Sequence, residues 1–264
     1  MVEQTFDDPP VLCGHRGCGA GVVEGRRENT LASFLAAVDA GLRWVEVDAR
    51  VTADRVLVAS HDPVVPDGRF VAELTAAAAD ALGLLLISDL LEALPAGLGV
   101  DVEVKTSLED ALRPRSETTA ALVAGLLPGA AQHLRVLVTS FDPAALLVVR
   151  ERVPGVPVGL ITWTRFALRK AIPAAVHLGA DVVVAHVGSL NLDGRGAPDF
   201  GRGAAEAVGI AHAAGLQVAA WCPVLGDLER CAQAGVDCLI VDAVPAAVGA
   251  APVPWARGRQ SNRG

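Results

Sequence analysis

Eight short runs rich in Val, Ile and Leu recur along the 264-residue chain, separated by Ala- and Leu-rich stretches, and this repetition constrains the fold most. The runs span 11–13, 43–51, 99–105, 135–141, 157–162, 180–186, 217–222 and 236–241. The intervening stretches at 29–40, 88–94, 116–127, 143–152, 165–178, 203–214 and 225–234 carry helical character. The spacing of roughly 25 to 35 residues is that of a strand–helix unit. Gly41, Gly179, Gly215 and Gly235 each stand between a helical run and a strand, where a left-handed helix end is least costly for glycine. Eight such units predict a closed (β/α)8 TIM barrel. An open, doubly wound sheet is the runner-up, but Gly17, Gly19 and Gly21 are followed by Val22 where a dinucleotide-binding loop needs a further glycine.

The run 56–60 follows the second strand across a Thr52–Arg55 turn and predicts a short hairpin at the barrel rim. Residues 66–87, with their Ala76–Ala79 patch, predict a small cap segment after strand 2. The barrel is expected to form one catalytic domain over 1–250, followed by a disordered tail at 251–264 with no hydrophobic periodicity.

Composition narrows the chemistry. A net charge of -8 disfavours nucleic acid and anionic membranes as partners, since both select for clustered cations. The first ten residues carry Glu3, Asp7 and Asp8 and no apolar run, so they do not read as a secretory signal. The most apolar long stretch, 81–100, contains Asp89 and Glu92, so stable membrane insertion is not expected, and a cytoplasmic protein is. Five cysteines (Cys13, Cys18, Cys222, Cys231 and Cys238) include no C-x-x-C pair and read as buried free thiols.

The charged residues within the strands are more informative. Because side chains alternate faces along a strand, Glu46 and Asp48 share one face while Val45 and Val47 take the other. The same alternation groups Asp101, Glu103 and Lys105 opposite Val100, Val102 and Val104. Two strands thus point acids into the barrel, a situation relieved by protonation, cationic partners or a metal. Arg16 and Lys105 supply two positive charges against Glu46, Asp48 and Glu103. A divalent ion would turn the remaining negative charge into a positive one, suited to a phosphodiester monoanion, and all-oxygen ligands favour Mg²⁺ or Ca²⁺. His15 and His61 end strand one and the rim hairpin, at the face where barrel enzymes carry their chemistry. Two imidazoles suit acid–base work.

Gly14-His15-Arg16-Gly17, Glu28-Asn29-Thr30, Val45-Glu46-Val47-Asp48, Val51-Thr52-Ala53-Asp54 and His61-Asp62 resemble, in order and spacing, the signature of glycerophosphodiester phosphodiesterases. Glu103-Val104-Lys105, Ser140-Phe141, Trp221 and 241–245 resemble the later motifs, so the likeness covers about residues 11 to 246. The resemblance implies a (β/α)8 barrel that releases sn-glycerol 3-phosphate and an alcohol from a small-molecule glycerophosphodiester. It implies His15 and His61 as the catalytic pair, Glu46, Asp48 and Glu103 as metal ligands, Arg16 as a phosphate contact, and Lys105 as a site lysine. The chain departs from the pattern at Arg27, where the family usually has Pro, and at Cys222-Pro223, where a Thr-Val-Asn-like run is common. Ile87–Glu92 stands in for a longer segment, and these departures bear on alcohol specificity.

Other polar and aromatic residues admit plainer readings. Asn29 reads as a helix N-cap, and Glu28 either as helix-start electrostatics or as a group orienting Arg16. Asp62 and Asp242 read as turn or cap residues, and Asp101 as a structural partner. Phe141 and Trp221 are either barrel packing or a wall against glycerol; His186 reads as structural, and His133, His177 and His212 as surface groups. Alternatives to hydrolysis are a barrel that releases a cyclic phosphate through attack by the glycerol 2-hydroxyl, or a barrel that binds the diester without turnover. The sequence leaves head group, native metal, first nucleophile and oligomeric state open.

Overall fold

The computed structural model describes residues 4–192 and 202–251, so the expected tail from residue 252 on lies outside the described residues. β1 (Val11–Gly14) leads into a small hairpin, β2 (Val22–Val23) and β3 (Arg26–Arg27), and then α1 (Leu31–Asp39). β4 (Trp44–Val51) and β5 (Leu57–Ala59) form the antiparallel rim hairpin, followed by α2 (Ala76–Ala81) and α3 (Ile87–Ala93). The remaining barrel strands alternate with helices: β6 (Gly99–Val104), α4 (Thr119–Ala130), β7 (Arg135–Ser140), α5 (Pro143–Arg152), β8 (Val158–Ile161), α6 (Leu168–Leu178) and β9 (Val182–His186). α7 (Ala204–Ala213), β10 (Gln217–Trp221), α8 (Leu228–Gln233), β11 (Cys238–Val241) and α9 (Val244–Ala250) complete the described chain. The order β1-β11-β10-β9-β8-β7-β6-β4, with β1 also paired to β4, closes eight parallel strands into a (β/α)8 barrel.

Strand alternation sorts the core into two parts. Val45, Val47, Val100, Val102 and Val104 face outward into the shell that packs against the helices. Val11, Cys13, Trp44, Leu137, Ile161, Val184, Ala219 and Ile240 form a separate inner cluster. Phe6, from the segment preceding β1, enters this cluster edge-on to Trp44 at 5.1 Å. Its backbone N–H donates to Gln217 Oε1 at 2.9 Å, and Gln217 Nε2 donates to the Phe6 carbonyl at 3.1 Å. Gly99 lies opposite Trp44 in the ladder, and a Cβ there would sit 2.2 Å from the indole, so glycine makes the room that the Trp fills.

Helix ends follow local chemistry. Gly41, Gly179, Gly215 and Gly235 all have positive φ, as their place after helical runs predicts. Asp142 caps α5 by accepting from the Ala144 N–H, with Pro143 at the first helical position. At α1 the cap is Thr30, not Asn29: Thr30 is extended and accepts from Ser33 N, whereas Asn29 sits at φ 54°. Arg165, at φ 55°, likewise delays α6 to Leu168. The segment after the rim hairpin packs Val65, Val71, Leu74, Ala79 and Leu84 into a small core with Val58 of β5.

Candidate active site

The β4–β6 register places Glu46 beside Asp101 and Asp48 beside Glu103, all on inward positions. Each of the four carboxylates is at most 6% exposed. Glu46, Asp48 and Glu103 each offer an oxygen within 4.8 Å of the others. Such crowding out of water disfavours charge, and the acids respond unequally. Burial and then the Asp48 charge push Glu46 well up, and burial also raises Glu103. Asp101, buried and accepting from the Thr139 hydroxyl at 2.7 Å, is pushed up by burial to about 8. Burial would raise Asp48 too, but Lys105, Arg16 and the Asn29 amide outweigh it and hold the group below its usual value.

The cations are fixed by these same acids. Lys105 Nζ lies 3.1 Å from Asp48 Oδ1 and 2.5 Å from Glu103 Oε1. Arg16 Nε lies 3.2 Å from Asp48 Oδ2, and its Nη1 donates to both Glu28 oxygens at 3.0 Å. Glu28 therefore orients Arg16 and does not merely favour the helix start; it also accepts from the Gly21 N–H. The Arg16 backbone N–H donates to Glu46 Oε2 at 2.9 Å, from a left-handed φ of 50°. Gly17, at φ 93°, lets the loop close on α1, since a Cβ there would lie 2.5 Å from Ser33 Oγ.

The acid trio fits a hard divalent ion on the structure's own terms. Glu46 Oε1 is buried with no hydrogen-bond partner, and the inner oxygens of Asp48 and Glu103 face the Lys105 ammonium alone. Three converging carboxylates with spare acceptor capacity are the donor set that Mg²⁺ or Ca²⁺ selects.

Both histidines stand at this end, each with a carboxylate on Nδ1. His15 Nδ1 is 2.9 Å from Asp242 Oδ1, and its Nε2 is directed toward Glu46 Oε2 at 3.9 Å. Asp242 also accepts from the Ala20 N–H at 2.7 Å and is held down at about 2; burial opposes that shift, and the His15 contact overcomes it. His61 Nδ1 is 2.8 Å from Asp62 Oδ1. Its backbone carbonyl accepts from Arg50 Nε at 2.9 Å and Nη2 at 2.6 Å, which anchors the hairpin end to β4. Burial lowers His61 below its usual value, aided by Arg16 and Lys105 and opposed by Asp48.

The aromatic residues line one side of the mouth. Lys105 Nζ lies 5.7 Å from the Phe141 ring centroid, and Phe141 meets Trp163 at 4.5 Å and Trp221 at 6.1 Å. His186 packs edge-on against Trp221 at 4.5 Å, while its Nδ1 accepts from Gly188 N. His212 pairs with Asp237 at 2.8 Å, far from this cluster. Cleft volume is a poor guide to the chemistry, because a cleft of about 630 Å³ opens near Gln4, Trp44 and Arg135 at the other end of the barrel.

Sequence reasoning missed or misread five groups. Asp242 and Asp62 are not simple turn or cap residues, since each contacts a histidine ring. Asn29 is not a cap but donates from Nδ2 to Asp48 Oδ2 at 2.8 Å. Arg50 shares the inward parity of Glu46 and Asp48, a signal that could have flagged it. Cys222 is half-buried, unlike the four other thiols.

Comparison with known proteins places the chain in a family and agrees with its fold. Residues 15–246 match the model of the Glycerophosphoryl diester phosphodiesterase family. Among curated proteins none matches. The fold is shared with a glycerophosphodiester phosphodiesterase from Thermotoga maritima, at TM-score 0.70 and 18% identity over 92% of this chain and 99% of that one. It is also shared with an Oleispira antarctica phosphodiesterase solved with the product sn-glycerol 3-phosphate, at TM-score 0.72 and 22% identity over 91% and 96% of the two chains. A third likeness is to an Agrobacterium tumefaciens glycerophosphodiester phosphodiesterase, at TM-score 0.63 and 21% identity over 91% and 98%. The family match covers most of the chain, which therefore belongs to the glycerophosphoryl diester phosphodiesterase family and its enzyme class.

Proposed function

We propose that this member of the glycerophosphoryl diester phosphodiesterase family hydrolyses a small glycerophosphodiester to sn-glycerol 3-phosphate and an alcohol, using His15 and His61 as the acid–base pair. The reading rests on one observation: two carboxylate-bound imidazoles and a buried acid trio with spare oxygens meet at the same end of the barrel. The barrel within residues 1–250 would carry the whole reaction, in the cytoplasm. Among the described residues no helix is long and apolar enough to cross a membrane.

Glu46, Asp48 and Glu103 would hold Mg²⁺ or Ca²⁺, which when bound supplies Lewis-acid polarisation of a phosphoryl oxygen. Arg16, clamped by Glu28 and Asp48, presents its remaining guanidinium edge to the phosphate, and Lys105 adds a second positive charge. His61, lowered by its surroundings, enters the reaction neutral and fits the base that takes a proton from the attacking water. His15 fits the acid that returns a proton from Nε2 to the departing alkoxide, with Asp242 on Nδ1 holding the ring in place. Phe141 and Trp221 form the wall beside the glycerol or alcohol portion, while Trp163, at 66% exposure, extends it outward.

The test is a panel of glycerophosphodiesters with choline, ethanolamine, glycerol or inositol head groups, assayed for glycerol 3-phosphate with Mg²⁺ or Ca²⁺ and again with chelator. Release from at least one diester, lost on chelation, is the expected result. No release from any of them with either metal overturns the reading, and a persistent cyclic phosphate in the phosphorus NMR spectrum replaces it with the cyclising reaction.

A further inference from the structure

His15, Cys222 and Asp242 follow directly on β1, β10 and β11, which are neighbours in the closed sheet. Their ligand atoms, an imidazole nitrogen, a thiol sulfur and a carboxylate oxygen, all lie within 4.8 Å of one another. Backbone bonds from Cys222 N to Ile240 O and from His15 N to Val241 O, both 3.1 Å, carry the ladder beyond the strand ends and fix the spacing. Cys222 adopts a left-handed φ of 53°, a conformation a non-glycine residue holds only where the surrounding structure imposes it.

This cluster differs in kind from the acid trio. The trio offers oxygen only and suits a hard ion, whereas a nitrogen, a sulfur and one oxygen suit a borderline ion such as zinc. The Asp242 carboxylate already draws in the His15 Nδ1 edge and the Cys222 thiol, so the three groups converge before any ion arrives. Three protein ligands leave a fourth position of a tetrahedral ion to water.

We propose that His15, Cys222 and Asp242 form a second, sulfur-containing site for a zinc-like divalent ion, and that an ion bound there silences the enzyme by occupying His15 Nδ1. On binding, the Cys222 thiol gives up its proton to solvent and the sulfur coordinates as thiolate. The ring gives up its Nδ1 proton and keeps one on Nε2. A ring with metal on Nδ1 cannot become the doubly protonated imidazolium, so it has no acidic proton to give the leaving group at neutral pH. The silencing rests on His15 as the acid proposed above; the binding does not.

The test uses purified full chain kept saturated with Mg²⁺, as wild type, Cys222→Ser and Cys222→Ala. Titrating Co²⁺ should give a thiolate-to-cobalt charge-transfer absorption in the wild type that both variants lack. Zn²⁺ should inhibit the wild type at concentrations at least about tenfold below those needed for either variant, since even losing a ligand's hydrogen-bond partner costs a metal site that much. Both variants should keep wild-type turnover in Mg²⁺ alone. Absence of the absorption in the wild type, or its persistence in both variants, overturns the site. Equal Zn²⁺ sensitivity of all three proteins overturns the silencing and assigns inhibition to the acid trio. If no glycerophosphodiester is turned over at all, the proposed reaction fails while the absorption still decides the site.

Discussion

The floor and the mouth of this barrel are built by the same strands from opposite materials. On β4, inward Trp44 lies in the apolar floor against Phe6, and Asp48, four residues and about 13 Å further along, lies among charges. At the floor, burial stabilises: the indole and phenyl rings meet edge-on in a closed cluster, and the polar ends of Gln217 and Phe6 satisfy each other. At the mouth, burial opposes charge and raises Glu46, Asp101 and Glu103, so Arg16 and Lys105 are needed to keep the group together. The contrast implies a division of labour in which floor residues govern stability and mouth residues govern rate.

Substitutions at each end test that division. The largest effect is expected for His15→Ala, which should lower kcat by roughly 10²- to 10⁴-fold while leaving the urea midpoint near that of the wild type. A matching loss of stability would break the division. Trp44→Ala should do the opposite, costing about 3–5 kcal/mol in urea denaturation with kcat of the folded fraction unchanged. A large change in kcat there would mean that the floor sets the geometry of the mouth.

Asp101 tests the cost of charge at the mouth. Its folded value of about 8 lies above the ordinary 3.8, so the folded state holds a proton that the unfolded state has released between those pH values. That contribution is complete below about pH 4 and is lost as pH rises toward 8, at about 1.4 kcal/mol per pH unit. Asp101→Asn, which keeps an acceptor for Thr139, should therefore flatten the fall in Tm from pH 4 to 8 in chelated protein. An unchanged slope would show that Asp101 is ionised in the fold. The smallest effect is expected for Asp62→Ala: the Asp62 side chain is 76% exposed, and an exposed pair contributes no more than about 1 kcal/mol, roughly fivefold in rate. A much larger loss would give His61 the same dependence on its carboxylate as buried His15.

The recurrence of strand and helix, with glycine at the helix ends, was enough to identify the barrel, because the periodicities and the left-handed preference of glycine are local. Alternation along β4 and β6 likewise put Glu46, Asp48, Asp101 and Glu103 on the inward face, since parity alone assigns a strand residue to its face. The role of Asp242 was not legible in this way, because the contact to His15 joins residues 227 positions apart and requires the ring to close between β1 and β11. Asn29 looked like a cap because the sequence of a helix start does not reveal which residue takes the left-handed turn and reaches Asp48 instead. Arg50 was passed over although its parity was visible; its partner is a backbone carbonyl, which carries no sequence signature.

Taken alone, the order of residues determined which side chains lie on one face of a strand, where helices stop, and that acids and histidines reach one end of the barrel. Tertiary structure decided which carboxylate each imidazole meets, which acid keeps its proton and which thiol stands beside His15. Facing and helix ends depend on a few adjacent peptide units, whereas protonation and pairing depend on how much water the whole closed barrel removes and which distant strands it makes neighbours.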